Sequence, residues 1–259
     1  MRLLAKELIA KSEASLQKIR EGLKVTPGFA HIWVGQDPQT AIFVRVKKRQ
    51  AERLSCNYFL HDFAAADNRQ LKALILGLNV RPDIHGIVLQ LPLPKTNNVN
   101  ELIETIAPEK DIDGLRVGSP FPAPTPSGII ALLEANDINP IDRRTVIIGA
   151  GRLVGMPLSK IFRERKWPFT HITQDAESQA NVIREHDIVI SCTGVNGLVK
   201  PAMVTGETIV IDGSGVDVDV KEIEPLVSAV TPSKGAVGPL TVQFLFQNLL
   251  EAATKISKG

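Results

Sequence analysis

Short apolar, β-branched runs alternate with helix-patterned segments along nearly all of this 259-residue chain. The runs are FAHIWVG (29–35), CNYFLHDF (56–63), GIVLQLPL (86–93), TVIIGA (145–150), FTHIT (169–173), DIVISCTG (187–194) and ETIVIDGS (207–214). Helical periodicity fills 38–54, 68–79, 98–106, 127–136, 153–165 and 175–185. Alternation of this kind implies an α/β fold with largely parallel sheets and helices on their faces. The length suits two modest domains or one large one.

The clearest boundary is LRVGSPFPAPTPSG (115–128), where four prolines cannot continue a helix or a central strand. A helix is expected to start after it, over SGIIALLEAN (127–136). A second change of character, TPSKGAVGPLT (231–241), precedes an apolar closing helix, VQFLFQNLLEAATK. A chain that leaves one domain, builds another and returns would place that helix back on the first. The expected division is therefore 1–121 plus 239–259, and 122–238.

Charge and cysteine content narrow the function classes. The net charge of +2 gives no electrostatic case for nucleic acid. Cys56 and Cys192 have no metal-type spacing and form no disulfide framework, so no metal is expected. The amphipathic, charge-interrupted N-terminus does not read as a secretory signal, and no apolar run is long enough to span a bilayer. A cytoplasmic location is the expectation.

Some polar residues interrupt apolar patterns, and these are the candidates for chemistry. In TAIFVRVKKRQAERL (40–54), Phe43, Ala51 and Leu54 fall on one helical face with Lys47 in its middle. A lysine on a buried stripe is desolvated or paired, and either state tunes its pKa. The plain alternative is a lysine snorkelling at the rim of a core. Gln90 interrupts the apolar run GIVLQLPLP and must find hydrogen-bond partners, in a site or simply in the core. KDIDG (110–114) offers Asp111 and Asp113 before the boundary, as a site or as plain turn chemistry.

The strand TVIIGA runs into GAGRLVGMP (149–157) and then a helix. Gly149, Gly151 and Gly155 there suit a backbone that approaches a pyrophosphate at a helix N-terminus, although a structural strand-to-helix turn would look similar. The next strand ends at Thr173-Gln174-Asp175. A carboxylate near that tip favours NAD, whereas Arg152 in the loop favours the 2′-phosphate of NADP.

Taken in order, VGQDP (34–38) before the lysine helix, GIVLQLPLPK (86–95), APEKDIDG (107–114), PTPSGIIALLE (124–134), VGMP (154–157) and KGAVGPLT (234–241) resemble the methylenetetrahydrofolate dehydrogenase/cyclohydrolase family, the bifunctional FolD-type enzymes. The resemblance covers nearly the whole chain. It implies a folate-side catalytic domain and a Rossmann nucleotide domain with a cleft between them, a final helix that returns to the first domain, and a homodimer. It implies oxidation of 5,10-methylenetetrahydrofolate with NADP (NAD being the alternative) and hydrolysis of the methenyl product to 10-formyltetrahydrofolate. By matched position Lys47 is the catalytic lysine, Gln90 its hydrogen-bonding partner and Asp113 the carboxylate that anchors the pterin. Phe43, Leu91, Gly238 and Pro239 are implied to line the folate site. Gly149, Gly151, Arg152, Val154, Gly155 and Thr173 are implied to hold the dinucleotide.

The chain also departs from the family pattern. Phe43 stands where the family usually has tyrosine, Pro124 where it has cysteine, and Ala150-Gly151 where it has an Arg-Ser pair. Ser233, Lys234 and Ala236 alter the loop before Gly238, and the stretch 213–220 and the start of the chain are short. Loss of the tyrosine hydroxyl threatens the hydrolytic step more than the hydride step. Three readings follow: a bifunctional enzyme with weakened cyclohydrolase, a monofunctional dehydrogenase, or a non-catalytic folate-binding paralogue.

Overall fold

In a computed structural model, the described residues are 2–256 apart from Leu4, Gln36 and Ser233. Helices and strands alternate as α1 (Lys6–Gly22), β1 (Gly28–Val34), α2 (Pro38–Arg53), β2 (Asn57–Phe63), α3 (Asn68–Asn79), β3 (Gly86–Leu89) and α4 (Val99–Thr105). They continue as α5 (Pro124–Ala135), β4 (Thr145–Ile148), α6 (Gly155–Glu164), β5 (Phe169–Ile172), α7 (Ala180–Arg184), β6 (Ile188–Ser191), β7 (Ile209–Asp212), α8 (Val220–Ile223), β8 (Ala229–Val230) and α9 (Val237–Ile256). All strand pairings among these are parallel. The α/β architecture expected from the alternation is the observed one.

The chain divides into two compact units. One comprises Ser12–Pro124 and Val242–Gly259 and holds a three-stranded sheet of order β2-β1-β3. Successive side chains of β1 point to opposite faces. Phe29 lies in a core with Leu16, Ala51, Leu54 and Val88, while Ala30, Ile32 and Val34 lie in a second core with Leu71, Ile75 and Leu78 of α3. The first core is closed by Leu245, Phe246, Leu249 and Leu250 of α9, so the final helix does pack on the unit that holds β1 to β3. Each fully buried Leu or Phe of this kind contributes roughly 1.5–3 kcal/mol.

The other unit comprises Met1–Lys11 and Thr125–Thr241, with a five-stranded sheet of order β5-β4-β6-β7-β8. Its core joins Val146, Ile148, Val189, Val210, Ile223 and Val230. The sequence expectation kept residues 1–11 with the first domain. Here Arg2 bridges Val230, the Leu3 N–H donates to the Val230 carbonyl, and Arg2 pairs with Glu224. The open edge of β8 thus captures the start of the chain.

Two boundaries differ from the sequence expectation. Helix α5 starts at Pro124, inside the proline-rich stretch, because prolines in a first turn lack only N–H groups that have no intrahelical acceptor. Helix α7 starts at Ala180, five residues late, after a turn through 176–179.

Candidate active site

The segment VGQDP sets the lysine helix in place by local chemistry alone. Strand β1 ends at Val34, and Asp37 caps α2 by accepting from the Thr40 N–H at 2.7 Å and the Thr40 hydroxyl at 2.7 Å. Pro38 then occupies the first turn. From this start, Val44, Lys47, Ala51 and Leu54 face inward and are buried. Phe43, expected on the same stripe, is 52% exposed. It lies one turn nearer the helix start, and the apolar core that takes in Ala51 and Leu54 does not extend to it.

Lys47 keeps only 8% of its surface exposed. Its Nζ donates to Gln90 Oε1 at 2.9 Å. Burial pulls the Lys47 pKa below the ordinary lysine value, and the Asp113 carboxylate pushes back. Asp113, partly buried, is raised by its own desolvation, which Lys47 opposes. Lys47, Gln90 and Asp113 are therefore brought together in one unit, as a desolvated amine, an amide acceptor and a carboxylate.

The two aspartates of KDIDG take different roles. Asp111 is 1% exposed and accepts from the backbone N–H groups of Leu115 and Arg116 at 3.3 and 3.0 Å, which is the turn chemistry. Lys110 is buried too, and its Nζ donates to the carbonyls of Leu78, Asn79 and Arg81 at 3.2, 2.7 and 2.7 Å. A cation on the last carbonyls of α3 satisfies groups that the helix itself cannot. It also pins the loop that carries Asp113.

Leu91 follows Gln90 directly, is partly buried, and precedes Pro92 through a cis peptide bond. Gly238 and Pro239 lie in the first turn of α9 and group with the other unit.

In that unit, the turn after β4 has the geometry of a dinucleotide loop. Gly149 has φ +104°, and a Cβ there would sit 2.8 Å from the Cys192 carbonyl oxygen. A Cβ on Gly155 would sit 2.0 Å from the Gly149 oxygen, so both glycines are required by the fold. Gly151 is different. A Cβ there would meet nothing closer than 3.7 Å, so the chain's own packing does not require glycine. Val154 caps α6 without a side-chain hydrogen bond. The Gly149 carbonyl accepts from His171 Nε2 at 2.9 Å. Arg152 is exposed on the loop, and Thr173 is exposed just past β5. Strand β4 lies between β5 and β6, so this loop sits where the strand order reverses, a usual ligand position in such sheets. The short stretch after β7 folds onto two carboxylates. Asp212 accepts from the N–H groups of Ser214, Gly215 and Val218, and Asp217 from the hydroxyls of Ser191 and Thr193.

Comparison with known proteins decides the family. The model of the tetrahydrofolate dehydrogenase/cyclohydrolase catalytic domain matches residues 2–113, and that of its NAD(P)-binding domain matches residues 123–257. The chain belongs to the tetrahydrofolate dehydrogenase/cyclohydrolase family. It is 36% identical over 282 residues to the bifunctional protein FolD of Lactobacillus acidophilus, covering 98% of each chain. The FolD methylenetetrahydrofolate dehydrogenase/cyclohydrolase of Campylobacter jejuni superposes with a TM-score of 0.88 at 29% identity, over 96% of this chain and 97% of that one. The Trypanosoma brucei N5,N10-methylenetetrahydrofolate dehydrogenase-cyclohydrolase, solved with NADP and an inhibitor, shares the fold with a TM-score of 0.93 at 23% identity, over 100% and 99% of the two chains.

Within this family member, two residues near Lys47 escaped the sequence reading. His31, in the centre of β1, and Tyr58, in β2, join Gln90 in one hydrogen-bonded chain. Their signal was the one used for Gln90: His31 is a polar residue inside an apolar strand.

Proposed function

We propose that the chain oxidises 5,10-methylenetetrahydrofolate to the 5,10-methenyl form with NADP, and hydrolyses that product to 10-formyltetrahydrofolate, using Lys47 for proton transfer. The observation that carries this reading is the buried Lys47 amine, 2.9 Å from Gln90 and under the field of Asp113, in a chain of this family. NADP, when bound, supplies the hydride acceptor. The hydride leaves a carbon flanked by two nitrogens whose lone pairs expel it, so the protein's part in that step is positioning.

Hydrolysis asks more of the side chains. Water adds to the methenyl carbon, one C–N bond breaks, and a net proton is released. A group that can take a proton and return it serves both transfers, and burial eases the loss of the Lys47 proton. Lys47 as the free amine would take a proton from the water as it adds, and its ammonium form would return one to the departing nitrogen. Gln90 holds the amine in place. Asp113 would accept from the N–H edge of the pterin, an oriented contact of the kind carboxylates make with planar donors. Phe43, exposed one turn before Lys47, offers an aromatic face, and Leu91 would line the folate side; Gly238 and Pro239 are assigned to folate by the family resemblance alone.

The glycine loop suits the dinucleotide. Gly151 has room where a pyrophosphate must approach, and α6 begins without a side-chain cap. Gly149, Val154 and Gly155 shape that turn. Strand β5 ends at Ile172 and is followed by Thr173 rather than by a carboxylate, and Arg152 stands on the loop, which favours NADP over NAD.

Phe43 favours a second reading, a dehydrogenase with weak cyclohydrolase, since phenylalanine cannot orient a lysine or a water. A paired assay separates the readings. Purified protein and 5,10-methylenetetrahydrofolate are followed with NADP and with NAD, recording nicotinamide reduction and methenyl product together. Reduction with little methenyl accumulation is expected. Matching methenyl build-up would favour the second reading, and no reduction by folded protein would leave only folate binding. A cytoplasmic homodimer completes the proposal. Free Cys56 and Cys192 suit a reducing compartment, and sedimentation reads the dimer directly.

A further inference from the structure

His31 is fully buried in the middle of β1. Its ring stacks on Phe29, with centroids 5.3 Å apart and planes 18° from parallel. The register pairs Tyr58 with Phe29 and Val88 with His31, so Tyr58, His31 and, two residues beyond Val88, Gln90 lie on one face of the sheet. The Tyr58 hydroxyl is 2.8 Å from His31 Nδ1, and His31 Nε2 is 3.0 Å from Gln90 Oε1. That same oxygen receives Lys47 Nζ, while Gln90 Nε2 donates to the Leu91 carbonyl at 2.9 Å.

The donor roles follow from counting protons. Gln90 Oε1 can only accept, so His31 Nε2 must carry a hydrogen. A second hydrogen on Nδ1 would make a cation, which burial and the neighbouring Lys47 charge oppose; His31 is held well below the usual histidine pKa. Nδ1 is thus an acceptor and the Tyr58 hydroxyl its donor. Donors run in one direction, from Tyr58 through His31 to the amide oxygen that faces Lys47.

This direction matters when Lys47 loses its proton. Beside an ammonium, the amide oxygen has reason to face Lys47. Beside a free amine, the amide could turn over and donate its NH2 into the amine's lone pair. The lone pair would then be unavailable to water. A turned amide would also set its NH2 against the His31 N–H and its oxygen against the Leu91 carbonyl, and moving the His31 hydrogen to Nδ1 relieves only the first; the cost is of the order of an unmade buried hydrogen bond.

We propose that His31 and Tyr58 are positioning residues for the hydrolytic step, fixing the Gln90 carbonyl toward Lys47 so that the free amine keeps its lone pair for water. This rests on the reading of Lys47 as the proton-transfer group. The hydride step needs no such lone pair, so the two activities should separate.

Hydrolysis of the methenyl substrate by the unaltered enzyme is measured first; its absence would overturn the functional reading itself. With hydrolysis present, His31→Phe should lower its kcat about tenfold, the lower range of what misplacing a catalytic group costs, while KM and dehydrogenase kcat stay within about twofold. His31→Gln keeps an N–H donor at similar reach and should restore most of the loss. Tyr58→Phe removes the partner that holds the ring at Nδ1 and should lower hydrolysis about two- to threefold by letting the ring shift. Nitrogen NMR of the unaltered protein should show the His31 hydrogen on Nε2. A hydrogen on Nδ1, equal losses in His31→Phe and His31→Gln, or parallel loss of both activities would overturn the inference while leaving the functional reading intact.

Discussion

Replacing Lys47 with methionine should make the protein more stable and less active. Met keeps the length of the side chain on the buried stripe and removes the charge. Dehydrating an ammonium costs several kcal/mol, and a hydrogen bond to a charged donor returns about 1.5–3 kcal/mol. The pKa of Lys47 is depressed with burial as the leading cause, so dehydration outweighs what Gln90 and Asp113 give back. Against this, Met leaves Asp113 without its cation. Asp113 is partly exposed and can take up a proton, so its loss is the smaller one. The Gln90 oxygen still receives His31. The net expectation is a gain of about 1 kcal/mol at neutral pH, or about 2–4 °C in the transition of the unit that holds Lys47. The pH dependence has a definite sign. A lysine whose folded pKa lies below its unfolded value costs the fold most while both states are protonated. That cost shrinks as pH rises through the folded value toward the ordinary lysine pKa. The advantage of the Met variant should therefore narrow in alkaline buffer. Urea titration from pH 7 to 10 reads stability, and methenyl hydrolysis should fall at least about a hundredfold. A Met variant several degrees less stable, rescued by Asp113→Asn, would show that Lys47 is a structural counter-ion and refute the reasoning.

Gly155→Ala should abolish soluble expression or NADP binding, because its Cβ would overlap the Gly149 oxygen; Gly151→Ala should fold normally yet weaken NADP in calorimetry. Lys110→Met strips the carbonyls of Leu78 and Asn79 at the end of α3, and of Arg81 just past it, of their donor and should cost about 2–4 kcal/mol in urea unfolding, with equal activity loss only through unfolding. Phe43→Tyr should raise the hydrolysis rate and leave the dehydrogenase rate alone; a flat or slower hydrolysis would show that the hydroxyl is not what this chain lacks.

Much of this fold and site is legible in the sequence alone. The period of the apolar runs located β1 to β7, since buried parallel strands leave continuous apolar stretches. The two-residue strand β8 left no such run. Lys47, Gln90 and Asp113 stood out because each is polar inside an apolar or turn pattern. His31 obeyed the same rule but is uncharged when buried, and its meaning depends on Tyr58, which the β1–β2 register brings beside it from 27 residues away. Lys110 carries no signal of its own within KDIDG. Its acceptors lie about thirty residues upstream, at a helix end whose distance from the loop no local pattern encodes.

Helix α9 has a consequence for how the protein is made. Phe29 meets Phe246 edge-on at 5.6 Å, and Leu245, Leu249 and Leu250 close the same core. On the ribosome, residues near the start of the chain must wait for residues emerging more than two hundred positions later. The five-stranded unit, made of residues 1–11 and 125–241, is complete by Thr241 and can settle first, although all its strands come from the later part of the chain. Until the closing helix emerges, the core around Phe29 is therefore the one a chaperone would find open.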